Sequence, residues 1–119
     1  MIFKDRFRDK VAIITGGADS IGKGVASRLG KEGARLALFD INEKLLERTV
    51  GEFQAMGIEV RGYSLDISLE NQVSAAIQSV EKEWKKIDIL VNAAGIVGLT
   101  NAKITEFPVS DFDRIYEIN

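Results

Sequence analysis

The residues best placed to do chemistry are Thr15, Gly16, Gly17, Asp19, Ser20, Ile21 and Gly22, directly after the apolar run Val11 to Ile14. A buried strand that turns tightly into a helix reads this way. Glycine accepts positive φ and lets another group approach the backbone closely. Such a turn aims unpaired backbone N–H groups, at the positive end of the helix dipole, toward one spot. That spot suits a phosphate, and the main hypothesis is a bound dinucleotide. Three glycines by themselves equally describe an ordinary strand-ending turn. The context decides: strand before, helix after, an acid beyond.

Asp40 is that acid, 18 residues after Gly22. A carboxylate at this spacing can accept hydrogen bonds from the adenosine ribose hydroxyls; the bland alternative is a polar strand end. Its charge would repel a 2′-phosphate, which argues for NAD over NADP. Asp19 adds negative charge in the turn, and Ile41 offers no basic partner. Asp66, followed by Ile67, could hydrogen-bond the adenine amino group, or simply bond its own backbone at a strand end. Asn92-Ala93-Ala94-Gly95 offers small residues that let a flat cofactor lie close; it reads equally as a turn.

Other chemistries are excluded by what is missing. With no cysteine and no histidine, the chain alone cannot build a disulfide, a thiol nucleophile, a Ser-His-Asp triad or a His-ligated metal site. No clustered acids suggest a magnesium site, so no metal is expected. The formal charge is −2 with acids and bases interspersed, unlike the basic stripe of a nucleic-acid binder. No apolar run approaches the roughly 18–20 residues that span a bilayer. The charged start, Met1 to Lys10, lacks a signal-peptide core, and its charges are expected to form a solvated face. The expected compartment is the cytoplasm.

Periodic patterns supply the elements that must position these residues. Strands are predicted at about Lys10 to Thr15, Arg35 to Asp40, Ile58 to Leu65 and Ile87 to Asn92. Helices are predicted from about Ile21 to stop signals at Gly30 and Gly33, from Glu43 to Met56 behind an Asn42 cap, and from Leu69 to Trp84 behind a Ser68 cap. The second helix carries the stripe Leu45, Leu46, Thr49, Val50 and Phe53. A final helix starting at Ser110-Asp-Phe-Asp113 is predicted to run to Asn119. Alternating strands and helices imply an α/β fold of three layers, α/β/α: a Rossmann-type doubly wound parallel sheet in the order 3-2-1-4. Ligands bind such sheets at the carboxyl ends of the strands. Those ends are Thr15, Asp40, Asp66 and Asn92.

Taken together, the chain resembles the cofactor-binding N-terminal half of the short-chain dehydrogenase/reductase family, from about Lys10 to Asn119. Thr15-Gly-Gly-Ala-Asp-Ser-Ile-Gly22 is similar to the family's Thr-Gly-x-x-x-Gly-x-Gly turn. Asp40 matches the acid of NAD-preferring members, Asp66-Ile67 the pair placed against adenine, and Asn92-Ala93-Ala94-Gly95 the family's Asn-Asn-Ala-Gly. Asn119 resembles the helix asparagine of the family's catalytic tetrad. The resemblance implies hydride transfer between NAD and a small-molecule alcohol or ketone, in a homo-oligomer, tetramer or dimer.

Two positions depart from the pattern. Ser20 replaces the usual middle glycine; a positive φ there would cost roughly 1–3 kcal/mol, while a negative φ would leave its hydroxyl able to donate to a phosphate. Ala93 replaces the second asparagine. The tyrosine, lysine and serine that the family uses for proton transfer are not in these 119 residues: Tyr63 has Ile67 four positions on, and Tyr116 has nothing. The expectation is a single dinucleotide-binding domain over 1–119, truncated after Asn119 and inactive alone. A non-catalytic dinucleotide-binding module is the alternative; a regulatory fragment pairing through its sheet edge is a third, weaker one.

Overall fold

The computed structural model describes residues 3–93 and the backbone of 116–118. Its elements run β1 Val11–Thr15, α1 Ser20–Lys31, β2 Arg35–Asp40, α2 Glu43–Ala55, β3 Val60–Ser64, α3 Glu70–Trp84, β4 Ile89–Asn92 and β5 Tyr116–Ile118. The strands form one parallel sheet in the order β3-β2-β1-β4-β5. The expected 3-2-1-4 order is therefore present, with one strand added beyond β4.

The sheet is covered on both faces, which is why β1 and β2 are nearly continuous in apolar residues. Successive side chains alternate across the sheet. Ala12, Ile14, Leu36 and Leu38 pack with Ala26 and Leu29 of α1 and Leu46 and Phe53 of α2. Val11, Ile13, Ala37 and Phe39 face the other way, against Val73, Ile77, Val80 and Trp84 of α3. Each fully buried Leu, Ile, Val or Phe contributes about 1.5–3 kcal/mol. That burial, not intrinsic propensity, holds α1, because its three glycines, Gly22, Gly24 and Gly30, each disfavour a helix interior by about 1 kcal/mol relative to alanine.

Asn42 caps α2 as expected, its Oδ1 accepting from the Leu45 N–H at 3.1 Å. Two punctuation marks move. Gly30 lies inside α1, where an added Cβ would come within 2.8 Å of the Ile58 side chain and force it to shift; the helix closes at Glu32. The cap position of α3 is Leu69, whose apolar side chain makes no cap hydrogen bond; Ser68 lies one residue earlier, in a turn closed by its N–H and hydroxyl on Asp66 Oδ1 at 2.9 and 2.7 Å.

The predicted final helix is corrected over residues 116–118, which form β5, parallel to β4, with Ile89 opposite Tyr116 and Val91 opposite Ile118. β4 would otherwise present an open row of backbone N–H and C=O groups, and an edge of that kind recruits any nearby extended segment. Pairing outweighs a weak helical pattern. The helix start at 110–113 and Asn119 lie outside the described residues. Among the described residues, no helix is long and apolar enough to cross a membrane.

The N-terminal arm is more than a solvated face. Phe7 packs against the α1/α2 side of the core, and its N–H donates to the Glu32 carbonyl at 2.8 Å. The buried Glu32 carboxylate accepts from Arg28 Nε at 2.6 Å and the Phe3 N–H at 3.3 Å, and pairs with Arg6 at 3.3 Å. The Arg28 hydrogen bond, then Phe3 and the two guanidinium charges, hold its carboxyl below the usual 4.5, against the opposing effect of burial.

A group whose pKa folding depresses stabilises the fold above its unfolded value, and that contribution is lost as pH falls through the lower, folded value. Urea unfolding of wild type and Glu32→Gln should therefore show a stability gap above about pH 4.5 that narrows as the pH falls below it. A gap that stays constant on acidification would refute the depressed carboxyl.

Candidate dinucleotide site

The candidate site is built at the carboxyl ends of β1, β2, β3 and β4. β1 ends at Thr15, beside Phe39 on one side and Asn92 on the other. Asp40 lies opposite Ser64, two residues short of Asp66. Four polar strand endings are thus brought to one edge of the sheet.

The chain leaves β1 through Gly16, whose φ of +71° is in the left-handed region, while its N–H donates to the Phe39 carbonyl at 2.7 Å. Asp19 caps α1, its Oδ1 accepting from the Ser20 N–H at 2.8 Å. The turn closes where Gly22 meets Gly16: a Cβ on Gly22 would lie 2.0 Å from the Gly16 carbonyl oxygen and 3.2 Å from the Ala93 Cβ. Strand end, helix start and the end of β4 therefore touch at a point that admits only a glycine. This cradle, at a helix N-terminus with no acidic residue in its first turn, suits a phosphate.

Thr15 is fully buried. Its hydroxyl donates to Asn92 Oδ1 at 2.9 Å, with the Val91 carbonyl at 3.4 Å. It holds β4 in register with the turn. Ala93 is buried at 3% exposure, a position where an apolar methyl packs without needing a hydrogen-bond partner. Asp19, Ser20 and Ile21 are exposed at the mouth of the turn. Ala94, Gly95 and Asn119 lie outside the described residues.

The Asp40 carboxylate has two backbone partners. Oδ2 accepts from the Ala18 N–H at 3.1 Å and Oδ1 from the Asn42 N–H at 3.0 Å. It ties the end of β2 to the glycine turn and to the start of α2, and it remains partly exposed. Asp66 closes an Asx turn: Oδ1 accepts from the Ser68 hydroxyl at 2.7 Å and the Ser68 N–H at 2.9 Å. Those two bonds, the hydroxyl first, hold its carboxyl below the usual aspartate value. Ile67 is half-buried against the α3 side of the core.

Ser20 settles at φ +52°. The position requires the left-handed region, and a serine there carries strain. Ser20→Gly should raise unfolding stability by roughly 1 kcal/mol, the relieved strain being partly offset by a more flexible unfolded chain. Urea denaturation midpoints measure this, and an unchanged or lower midpoint would show that the turn carries no strain at Ser20.

The sequence profile of the short chain dehydrogenases matches residues 10–119. The chain belongs to the short-chain dehydrogenase family. It is 39% identical over 118 residues to the 2-dehydro-3-deoxy-L-rhamnonate dehydrogenase (NAD(+)) of Sphingomonas sp. strain SKA58, covering 99% of this chain and 45% of that protein. It is 37% identical over 114 residues to the cyclopentanol dehydrogenase of Comamonas testosteroni, covering 96% of this chain and 45% of that one. The crystal structure of a short chain dehydrogenase/reductase from Burkholderia phymatum in complex with NAD superposes with a TM-score of 0.70. That match has 35% identity over 71% of this chain and 30% of the other. The chain thus spans less than half the length of these relatives.

Two residues at the site that the sequence does not mark as part of it are Ala18 and Thr49. Ala18 is buried in the middle of the turn, and the Thr49 hydroxyl on α2 donates to its carbonyl at 2.8 Å. In the sequence Thr49 reads as one member of an apolar stripe. Its hydroxyl, the polar group in that stripe, was the available signal.

Proposed function

We propose that this chain is the NAD-holding half of an oxidoreductase that moves hydride between NAD and a small-molecule alcohol or ketone. The observation that carries the reading is the Gly16–Gly22 contact with Asp40 beside it, a backbone cradle sized by a missing Cβ and flanked by a carboxylate. Gly16 to Gly22 would hold the pyrophosphate. Asp40 would accept from the ribose hydroxyls and repel a 2′-phosphate, favouring NAD over NADP. Asp66 and Ile67 would border the adenine, and Asn92 and Ala93 would border the nicotinamide side. Bound NAD supplies the hydride acceptor; the residues of this chain bind and orient it.

The relatives named for an NAD-dependent sugar-acid dehydrogenase and a cyclopentanol dehydrogenase, and the relative crystallised with NAD, support a dinucleotide and an alcohol substrate. A cytoplasmic homo-oligomer is the setting we propose for it. Because no Tyr-x-x-x-Lys lies in these 119 residues, binding rather than turnover is the measurement to make. NADH fluorescence titration of the chain should saturate, with NADPH binding more weakly. No binding at millimolar NADH would sink the dinucleotide reading; equal affinity for the two would sink the preference.

A further inference from the structure

Thr49 is fully buried on α2, yet its hydroxyl bonds outside its own helix. A threonine in mid-helix usually turns to solvent or bonds the carbonyl one turn back. Here Oγ1 reaches the Ala18 carbonyl at 2.8 Å, across 31 residues of sequence. The Ala18 N–H is meanwhile donated to Asp40 Oδ2 at 3.1 Å. One residue at the centre of the glycine turn is gripped on both sides, by a helix through its carbonyl and by a strand end through its N–H.

The consequence follows from peptide geometry. In a trans peptide the C=O and the next N–H point in opposite directions. Holding the Ala18 carbonyl against α2 therefore turns the Asp19 N–H the opposite way, away from α2. The next residue, Ser20, has a φ of +52°, a conformation that persists only when its surroundings over-determine it.

We propose that Thr49 is a positioning residue for the phosphate-holding turn. Its hydroxyl locks the Ala18–Asp19 peptide in the orientation that presents backbone N–H groups to the ligand. This rests on the dinucleotide reading and adds to it a control point on α2, away from the strand ends. α2 acts as the back wall of the turn, and the Thr49 hydroxyl bonds the turn's backbone directly.

Thr49→Val keeps the side-chain shape and removes the donor. If the turn then holds the ligand-ready orientation about one-tenth of the time, apparent affinity for NADH falls about tenfold. ADP, which carries the pyrophosphate, should lose a similar factor. Adenosine, measured by NMR titration, should bind as it does to wild type. Thr49→Ser, which keeps the hydroxyl, should restore NADH affinity to within about twofold. A purely structural role would lower the melting temperature and leave the ADP-to-adenosine ratio unmoved, which would overturn the proposal.

Should Thr49→Val not fold, Thr49→Ser carries the test alone: a folded Thr49→Ser protein that binds ADP many-fold more weakly overturns the assignment. Wild type that binds NADH, with Thr49→Val binding it equally well, sinks Thr49 and leaves the dinucleotide reading standing. Wild type that does not bind NADH sinks both.

Discussion

Gly22→Ala is expected to abolish NADH binding and to destabilise the fold by about 3 kcal/mol or more, at the upper end of the range for overpacking. The added Cβ would lie 2.0 Å from the Gly16 carbonyl oxygen and 2.7 Å from the Gly16 carbonyl carbon. Both atoms are backbone, so no side chain can swing aside. Gly16 cannot retreat, because its N–H is bonded to Phe39 in β2 at 2.7 Å. α1 cannot lift away either, because Ala26 and Leu29 are buried against the sheet.

Gly24, in the same helix, provides the control. A Cβ there meets nothing within 4 Å, so Gly24→Ala should stabilise the protein by about 1 kcal/mol through helix propensity alone. Denaturant unfolding of the two variants should therefore move in opposite directions, while NADH binding is lost in Gly22→Ala and unchanged in Gly24→Ala. Full NADH affinity in a folded Gly22→Ala protein would show that the close approach is not what shapes the cradle.

The paired substitution Asp40→Ala with Ile41→Arg is expected to raise the NADPH-to-NADH affinity ratio on the order of a hundredfold. Two like charges about 4 Å apart near a protein surface repel by up to about 4 kcal/mol, and salt screening reduces that. Removing the carboxylate abolishes that repulsion. Ile41 is 67% exposed, so an arginine in its place stays solvated and can pair with the 2′-phosphate at little packing cost.

The structure adds a second consequence. Asp40 also accepts from the Ala18 and Asn42 N–H groups, so Asp40→Ala loosens the turn as well as the ribose contact. NADH affinity should fall and NADPH should gain less than the lost repulsion alone would give, while the ratio inverts. An unchanged ratio would mean that Asp40 serves only as a brace and that the ribose sits elsewhere.

Much of the fold was legible because strong signals were local. Arg35–Asp40 is apolar almost throughout and is a strand. Val73, Ala76, Ile77, Val80 and Trp84 repeat at helical spacing and are the buried face of α3. The failures were at punctuation. Gly30 looks like a stop signal, but its lack of a side chain serves packing against Ile58, a contact made 28 residues away. Ser68 looks like a helix cap, but it is folded into the turn at Asp66 and the helix begins one residue later, behind Leu69. At 116–118 the pairing partner, β4, lies far off in sequence, so a helical pattern gave no warning of a strand.

Residue types and their order determined the family, the parallel sheet and the set of strand ends that meet at one edge. Periodicity and glycine spacing are properties of neighbouring residues, and they survive without knowing where the chain goes. Only the tertiary structure decided which way each polar group is turned. Thr15 bonds Asn92 across the β1–β4 pair, Asp40 holds Ala18, and Asp66 is closed on Ser68. It also decided that Ser20 must take a left-handed backbone and that Thr49 belongs to the turn. The reason is physical: a buried hydroxyl, carboxylate or peptide group must find a partner, and that partner is chosen by proximity in space, across gaps such as the 31 residues between Ala18 and Thr49.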